Sequence, residues 1–228
     1  MNNNLYIVKI IPHGCIVRGR KSYHHGDLRK ALVDAAATLA AEHGPESVSL
    51  REVAKRAGVS HAAPYHHFAG KADLLHAVGM EGLRLMNEEM EQARRKKYKK
   101  PADRLSGLGM AYIRFAVTYP HYFKAIFRGA RPDRSLPDDE NLGLRNFDAL
   151  VEVVQECLGE RGRPSKRAEC LVLSAWAIVH GMASLGVEQA FDQTPFAGRK
   201  IEQLAELVTR TTQPIFDHES SRNKKSRA

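Results

Sequence analysis

The sequence predicts an all-α protein of about nine helices, with a three-helix N-terminal unit followed by a larger helical C-terminal unit. Three observations predict this fold class. Apolar residues recur at helical spacing almost throughout, and no segment shows the alternation expected of a set of strands. Polar, proline-rich and glycine-rich breaks fall between the periodic stretches.

A helix-turn-helix is predicted from residues 49–71, SLREVAKRAGVSHAAPYHHFAGK. Ser49 is placed to cap a short helix, and Glu52 three residues later is placed to complete a capping box. Gly58 follows this helix where a left-handed residue is needed, and Ser60 is placed to cap the next helix. Two short capped helices joined by a glycine turn form the motif whose second helix enters the DNA major groove.

The other helices follow from their caps, apolar stripes and breaks. Asp27 is placed to cap the first helix, which ends near Gly44 and Pro45. Six further helices are expected. The first begins near residue 71 and ends at the basic run at 94–100, and the others span 102–119, 121–128, 142–158, 165–189 and 199–216.

Length and charge suggest how these helices are organised. The 228 residues suit one domain or two small ones, and the net charge of +9 favours an anionic partner such as nucleic acid. The expected parts are a basic extension, 1–22, a helix-turn-helix DNA-binding domain, 23–70, a helical effector-binding and dimerisation domain, 71–217, and a basic tail, 218–228. The basic residues at 18–21 adjoin the helix-turn-helix, where a basic arm can reach a minor groove.

The run AGVSHAAPYHHFAGKADLL, residues 57–75, resembles the DNA-binding domain of TetR-type transcriptional regulators. In that family an Ala-Gly-Val-Ser turn leads into a recognition helix ending in Tyr-x-His-Phe, followed by a lysine that opens a long helix. The resemblance continues upstream through 23–44 and loosely into 111–127 and 174–190. The last segment is similar to the subgroup named after a Trp-His-Gly signature, although Trp176 and His180-Gly181 are separated here.

This resemblance implies which residues contact DNA. Tyr65 and His67 match phosphate contacts of the family, and the ammonium of Lys71 and the N–H groups that open its helix point at the same anion. The full expected set is Ser49, Ser60, His61, Ala62, Ala63, Tyr65, His66, His67 and Lys71. Phe68 matches a buried family position.

Pro64 departs from the family pattern, since many relatives carry an aliphatic residue there. If Ser60 is the cap, Pro64 removes the first hydrogen bond within the recognition helix. We therefore expect this helix to start more tightly or one residue later, which leaves the choice of base-facing side chains open by one position.

The C-terminal half offers a candidate effector pocket instead of a motif. The expected pocket residues are Tyr112, Phe115, Tyr119, Phe123, Phe127, Phe147, Trp176 and His180. Their aromatic rings also fit a packed core, and both interpretations stay open. In the pocket interpretation, the effector is a small apolar molecule held by one or two hydrogen bonds.

The eighth predicted helix is apolar over most of its circumference, so it needs to be buried on more than one side, and the ninth carries an apolar stripe. Packing against a second copy as a four-helix bundle satisfies this requirement and matches the usual interface of the resembled family. The expected partners are therefore duplex DNA with a palindromic operator, a second copy of the chain and a small-molecule effector.

Other classes of function find little support. No uninterrupted apolar run reaches the length of a membrane span, and three widely spaced cysteines suit the reducing cytoplasm. Five histidines near the helix-turn-helix lack ligand spacing, and no nucleophile elbow, phosphate loop or HExxH motif is present, so no metal, cofactor or enzyme activity is expected. The function predicted is that of a TetR-like repressor released by its effector. The alternative is a helical small-molecule-binding or enzymatic protein whose basic face binds another anion.

Overall fold

The computed structural model describes residues 25–128 and 142–209, and every regular element within those ranges is helical. The helices are α1 His25–His43, α2 Leu50–Ala57, α3 Lys71–Arg94, α4 Pro101–Thr118, α5 Pro120–Arg128, α6 Leu142–Leu158, α7 Lys166–Val187 and α8 at 201–209, with 3₁₀ helices η1 Pro45–Ser47 and η2 Ala63–His66. The all-α prediction is confirmed. The predicted N-terminal extension at 1–22 and the tail at 218–228 lie outside the described residues.

Helix α2 begins and ends as its sequence predicts. The Glu52 N–H donates to the Ser49 hydroxyl at 3.1 Å, and Gly58 adopts a left-handed φ of 70°. The N–H of Val59 then donates to the carbonyl oxygen of Ala54, which closes the helix end. The Glu52 carboxylate does not complete the capping box. It lies 3.9 Å from the ammonium of Lys55 instead.

The predicted recognition helix is a 3₁₀ helix, η2, instead of an α-helix. Proline cannot donate the hydrogen bond that would start an α-helix at this point. The backbone makes three-residue hydrogen bonds instead, from Ala63 to Ser60 and from Tyr65 to Ala62. Ser60 is not a side-chain cap, since η2 begins after Ala62 without one. The expectation of a tighter start is confirmed.

Helix α3 links the two halves of the chain. Its 24 residues span about 36 Å. Leu74, Ala77 and Val78 near its start are buried, and Leu83, Met86 and Met90 are buried further along. One long helix therefore belongs to the packing of both halves.

Helix α4 lies at the centre of the C-terminal half, packed against α3, α5, α6 and α7. Its residues Ala111, Ile113 and Phe115 are fully buried. A Cβ atom on Gly109 would lie 2.9 Å from Val179 of α7, so the absence of a side chain lets these two helices approach closely.

Helix α5 packs against both α1 and α3. The Tyr122 hydroxyl donates to the Asp34 carboxylate of α1 at 2.6 Å. On the α3 side, a Cβ atom on Gly82 would lie 2.6 Å from Ile126, so this helix pair also depends on a glycine. A short helix thus joins the N-terminal helices to the C-terminal ones.

Helix α7 is the one helix within the described ranges that is long and apolar enough to cross a membrane, by length and composition. Counting uninterrupted apolar residues missed this, because uncharged serine, histidine and glycine residues interrupt the run. Only 11% of its most apolar 18-residue window is buried. Part of its apolar surface therefore lacks a cover within the described monomer.

The left-handed turn at Gly58 gives a stability prediction. Gly58→Ala should lower the free energy of unfolding by about 1–2 kcal/mol, since its φ of 70° strains any Cβ-bearing residue although no atom lies within 4 Å of an added Cβ. Urea unfolding measures this cost. Gly70→Ala is the matched control, because its φ of 176° is extended and its Cβ also meets open space, so a change within about 0.5 kcal/mol is expected. Equal costs at both glycines would contradict the conformational explanation.

Candidate DNA interface and effector cavity

The predicted DNA-contact residues form an exposed segment around η2. Ser49, Ser60, His61, Ala62, Tyr65 and His66 are exposed, while Ala63, His67 and Lys71 are half-buried. The Tyr65 side chain is 64% exposed, which is unusual for a large aromatic residue and leaves its hydroxyl free to meet an external acceptor. Donors and acceptors suited to phosphates and base edges therefore lie together on one surface segment.

Buried neighbours hold this segment in place. Pro64 is fully buried and Phe68 is only 2% exposed, so η2 is anchored on one side while its other residues face outward. The Arg29 guanidinium lies 5.1 Å from the Phe68 ring centroid and ties the segment to α1. Two short hydrogen bonds from Arg56 to the Glu42 carboxylate, at 2.7 and 2.8 Å, join α2 to α1 and lower the pKa of that carboxyl group.

Lys71 has a structural partner in addition to its predicted DNA contact. Its ammonium donates to the carbonyl oxygen of Glu46 in η1 at 2.8 Å. The Asp73 carboxylate in the first turn of α3 accepts from the Ala69 N–H at 2.9 Å, so an acidic group already occupies this helix start. Two N–H donors of the ammonium remain for a phosphate.

A cavity of about 280 Å³ lies among the helices of the C-terminal half. Helices α3 to α7 supply its wall, with one residue from α8. The wall consists of Leu83, Met86, Met90, Ala102, Leu105, Ser106, Leu108, Gly109, Tyr112, Ile126, Phe127, Gly143, Asn146, Phe147, Leu150, Leu171, Ser174, Ala175, Trp176, Ile178, Val179 and Thr209. No formally charged side chain is among these described wall residues.

The structure places four of the eight predicted pocket residues on this wall: Tyr112, Phe127, Phe147 and Trp176. Phe147 and Trp176 pack edge to face at 6.0 Å. The other four, Phe115, Tyr119, Phe123 and His180, lie behind the wall instead of on it. Phe115 and Phe123 are core residues, and Tyr119 packs against that core.

His180 orients the wall residue Tyr112. Its Nδ1 lies 2.9 Å from the Tyr112 hydroxyl, and the rings of Phe123, Phe127 and Trp176 surround it. Burial lowers the pKa of His180 and raises the pKa of Tyr112, so a neutral imidazole and a neutral phenol share this hydrogen bond. Tyr112 therefore already has a hydrogen-bond partner in His180.

The aliphatic residues of the cavity wall and the buried amide of Asn146 were not predicted from the sequence. Leucine and methionine positions carry no signal that separates a cavity wall from a packed core. Asn146 is only 7% exposed, and within the described parts of the chain neither its amide nitrogen nor its amide oxygen has a hydrogen-bond partner. A lone polar residue on an apolar helix face was the available signal.

The described residues hold no group of three histidine, cysteine or acidic side chains able to bind a metal ion. Cys157 is buried and Cys170 is exposed, and neither forms a disulfide bond. Cys15 and the side chains of His24 and His25 lie outside the described residues.

Two family profiles match this chain. The profile of the bacterial regulatory proteins of the tetR family matches residues 32–78, and the profile of the tetracyclin repressor-like C-terminal domain matches residues 105–212. Together they cover the helix-turn-helix and most of the cavity-forming helices, but not residues 79–104. The chain belongs to the TetR family. It is a helix-turn-helix transcriptional regulator and not an enzyme.

Individual relatives are similar to this chain in sequence or in fold. The uncharacterized HTH-type transcriptional regulator YobS of Bacillus subtilis is 27% identical over 169 residues, which cover 74% of this chain and 83% of YobS. A protein of unknown function from Rhodococcus sp. RHA1 superposes with a TM-score of 0.63 at 27% identity, covering 85% of this chain and 97% of that protein. The ketosteroid transcriptional regulator KstR2 of Mycobacterium tuberculosis gives the same TM-score at 20% identity, covering 81% and 92%. Assignment to the Trp-His-Gly subgroup stays a prediction.

Proposed function

We propose that this TetR-family regulator is a cytoplasmic, homodimeric repressor that leaves a palindromic operator when a small apolar molecule fills the cavity. One observation carries the proposal: α5 contributes Ile126 and Phe127 to the cavity wall and Tyr122 to a hydrogen bond with α1. The cavity and the DNA-reading helices thus share one rigid element. The expected domains, 23–70 for DNA and 71–217 for effector and dimer, fit this arrangement, with α3 spanning both.

The DNA-binding part of the proposal rests on the exposed segment around η2. Hydroxyl, imidazole and ammonium groups lie beside each other on it, while the buried Pro64 and Phe68 fix the backbone. In this arrangement Tyr65, His67 and Lys71 bind phosphates and thereby orient the protein. His61, Ala62, Ala63 and His66 then approach the base edges.

The dimer rests on apolar surface that the monomer leaves uncovered on α7 and the segment after it. Leu173 is 55% exposed, Leu185 44% and Leu207 50%. Covering these side chains with the same helices of a second copy removes apolar area from water, at roughly 25 cal/mol per Å². A dimer also explains why α7 is as apolar as a membrane span. Two-fold symmetry then places two recognition segments on the two halves of a palindrome.

Release would follow from a shift between two conformations of the dimer. A molecule that fills the cavity presses on Ile126 and Phe127, and α5 transmits the change to α1 through Tyr122 and Asp34. The molecule must bind the DNA-free conformation more tightly, since equal affinity for both conformations would shift nothing. The name of the matched C-terminal profile supports repression, and the name of KstR2 supports a hydrophobic effector class.

The phosphate role of Lys71 gives the first test of DNA binding. Lys71→Gln should weaken binding to all duplex sequences and reduce the slope of log affinity against log salt by about one unit. Glutamine retains a donor for the Glu46 carbonyl oxygen, so the fold of η1 is preserved. Fluorescence anisotropy with genomic fragments selected by the purified protein measures both quantities.

Lys166→Gln is the control for this charge change. Lys166 is an exposed residue at the start of α7. The control should bind DNA with the wild-type slope. A Lys71→Gln protein that keeps the wild-type slope but changes its preferred sequence would contradict the phosphate contact.

The dimer interface is tested by Leu173→Lys. A lysine there should give monomers and weaken operator binding at least tenfold, because burying an unpaired charge in an apolar interface costs several kcal/mol. Sedimentation equilibrium reports the oligomeric state. Leu144→Lys is the matched control, since Leu144 is 45% exposed on α6, outside the proposed interface. A Leu173→Lys protein that remains a dimer of full affinity would place the interface elsewhere.

A further inference from the structure

The side chain of Asn146 lies in the cavity wall without a partner. Within residues 25–128 and 142–209, neither its amide nitrogen nor its amide oxygen makes a hydrogen bond, although the residue is 93% buried. Buried polar groups in proteins are nearly always hydrogen-bonded, because an unpaired one loses its bonds to water without replacement. Such a group beside a cavity indicates that its partner arrives with the occupant of the cavity.

Helix geometry places Asn146 on the face of α6 that lines the cavity. Gly143, Asn146, Phe147 and Leu150 all belong to the wall, and their spacing of three and four residues defines a single face of α6. Asn146 lies in the middle of that face. The neighbouring wall residue Phe147 is fixed by its edge-to-face contact with Trp176.

Two polar groups of the wall on α4 and α7 already have hydrogen-bond partners. The Tyr112 hydroxyl is bonded to His180 at 2.9 Å, and the Ser174 hydroxyl donates to the carbonyl oxygen of Cys170 at 2.8 Å. Asn146 differs from both, because it offers unused N–H donors together with an unused acceptor oxygen.

The charge of the wall limits the occupant further. The described wall residues include no lysine, arginine, histidine or acidic residue. Arg94 reaches the carbonyl oxygen of Arg145, next to Asn146 in the chain, but it is paired with Glu91 at 2.7 Å and does not belong to the wall. A carboxylate or ammonium group would be desolvated here without a counter-charge, so an ionic head group is disfavoured.

We infer that the effector is a neutral, mainly apolar molecule whose head group carries adjacent hydrogen-bond donor and acceptor atoms, as in a carboxamide or lactam, and that Asn146 binds this head. The inference rests on the proposed effector function of the cavity and names the ligand class. A molecule lacking either atom leaves one side of the Asn146 amide unpaired, which makes this residue a determinant of specificity.

The test uses the purified full chain and three pairs of probes: octanamide, cyclohexanecarboxamide and 2-naphthamide, each with its carboxylate. Isothermal titration at pH 7.5 measures their affinities. At least one amide should bind, and its carboxylate should bind at least about tenfold more weakly. Asn146→Leu should lower the affinity of the protein for that amide by about tenfold or more. Asn87→Leu makes the same change on α3 outside the wall, and should leave the affinity for the amide within about twofold of the wild-type value.

A folding readout accompanies the titration. Without any probe, Asn146→Leu should keep or raise the melting temperature, since an apolar side chain replaces an unpaired buried amide. If the Asn146→Leu protein does not fold because leucine is too bulky, Asn146→Ala removes the same amide. The Asn146→Ala protein should show the same loss of affinity for the amide probe.

Three results would overturn the inference: equal amide affinity in wild type and Asn146→Leu, carboxylates binding as tightly as amides, or no binding by any of the three amides. The same preparations are titrated with selected DNA fragments without probe. DNA binding without amide binding would reject the head-group inference and leave the DNA-binding role intact. Amide binding without DNA binding would reject the proposed repressor and keep the ligand site.

Discussion

The hydrogen bond between Tyr122 and Asp34 is the contact on which the functional account depends. It joins α5 to α1 at 2.6 Å, while Ile126 and Phe127 on the same helix form part of the cavity wall. Burial and the neighbouring Asp34 carboxylate raise the pKa of Tyr122, so the phenol remains a neutral donor at physiological pH. A short helix in contact with both regions cannot adjust at one end without affecting the other, because packed interiors deform in discrete rearrangements.

Around this contact the molecule separates two kinds of surface chemistry. The η2 segment exposes hydroxyl and imidazole groups, which suits an ionic, hydrated partner such as DNA. The cavity presents aliphatic and aromatic side chains and one unpaired amide, which suits a mostly apolar guest. The uncovered apolar face of α7 supplies a third surface, suited to a second copy of the same helix.

Local sequence signals predicted the fold closely where backbone chemistry decides it. Ser49 caps α2 and Gly58 ends it, and Pro64 produces the tight recognition turn that its missing N–H requires. The cavity was predicted less well. Aromatic clustering identified Tyr112, Phe127, Phe147 and Trp176, but it also drew in Phe115 and Phe123, which are core residues. Only tertiary packing decides whether a buried side chain meets another side chain or empty space, so the aliphatic wall could not be identified from spacing. For Asn146 the sequence offered only the signal of a lone polar residue on an apolar helix face.

The coupling between cavity and DNA face is tested most directly by measuring operator affinity with and without a compound that raises the melting temperature of the DNA-free protein. In wild type the compound should weaken operator binding by roughly 5- to 150-fold, the usual range of allosteric coupling. Tyr122→Phe removes only the hydroxyl bonded to Asp34, so the compound should still bind but should hardly weaken operator binding. Tyr119→Phe is the control, and in this protein the compound should weaken operator binding as much as in wild type. An unchanged factor in Tyr122→Phe would contradict transmission through α5.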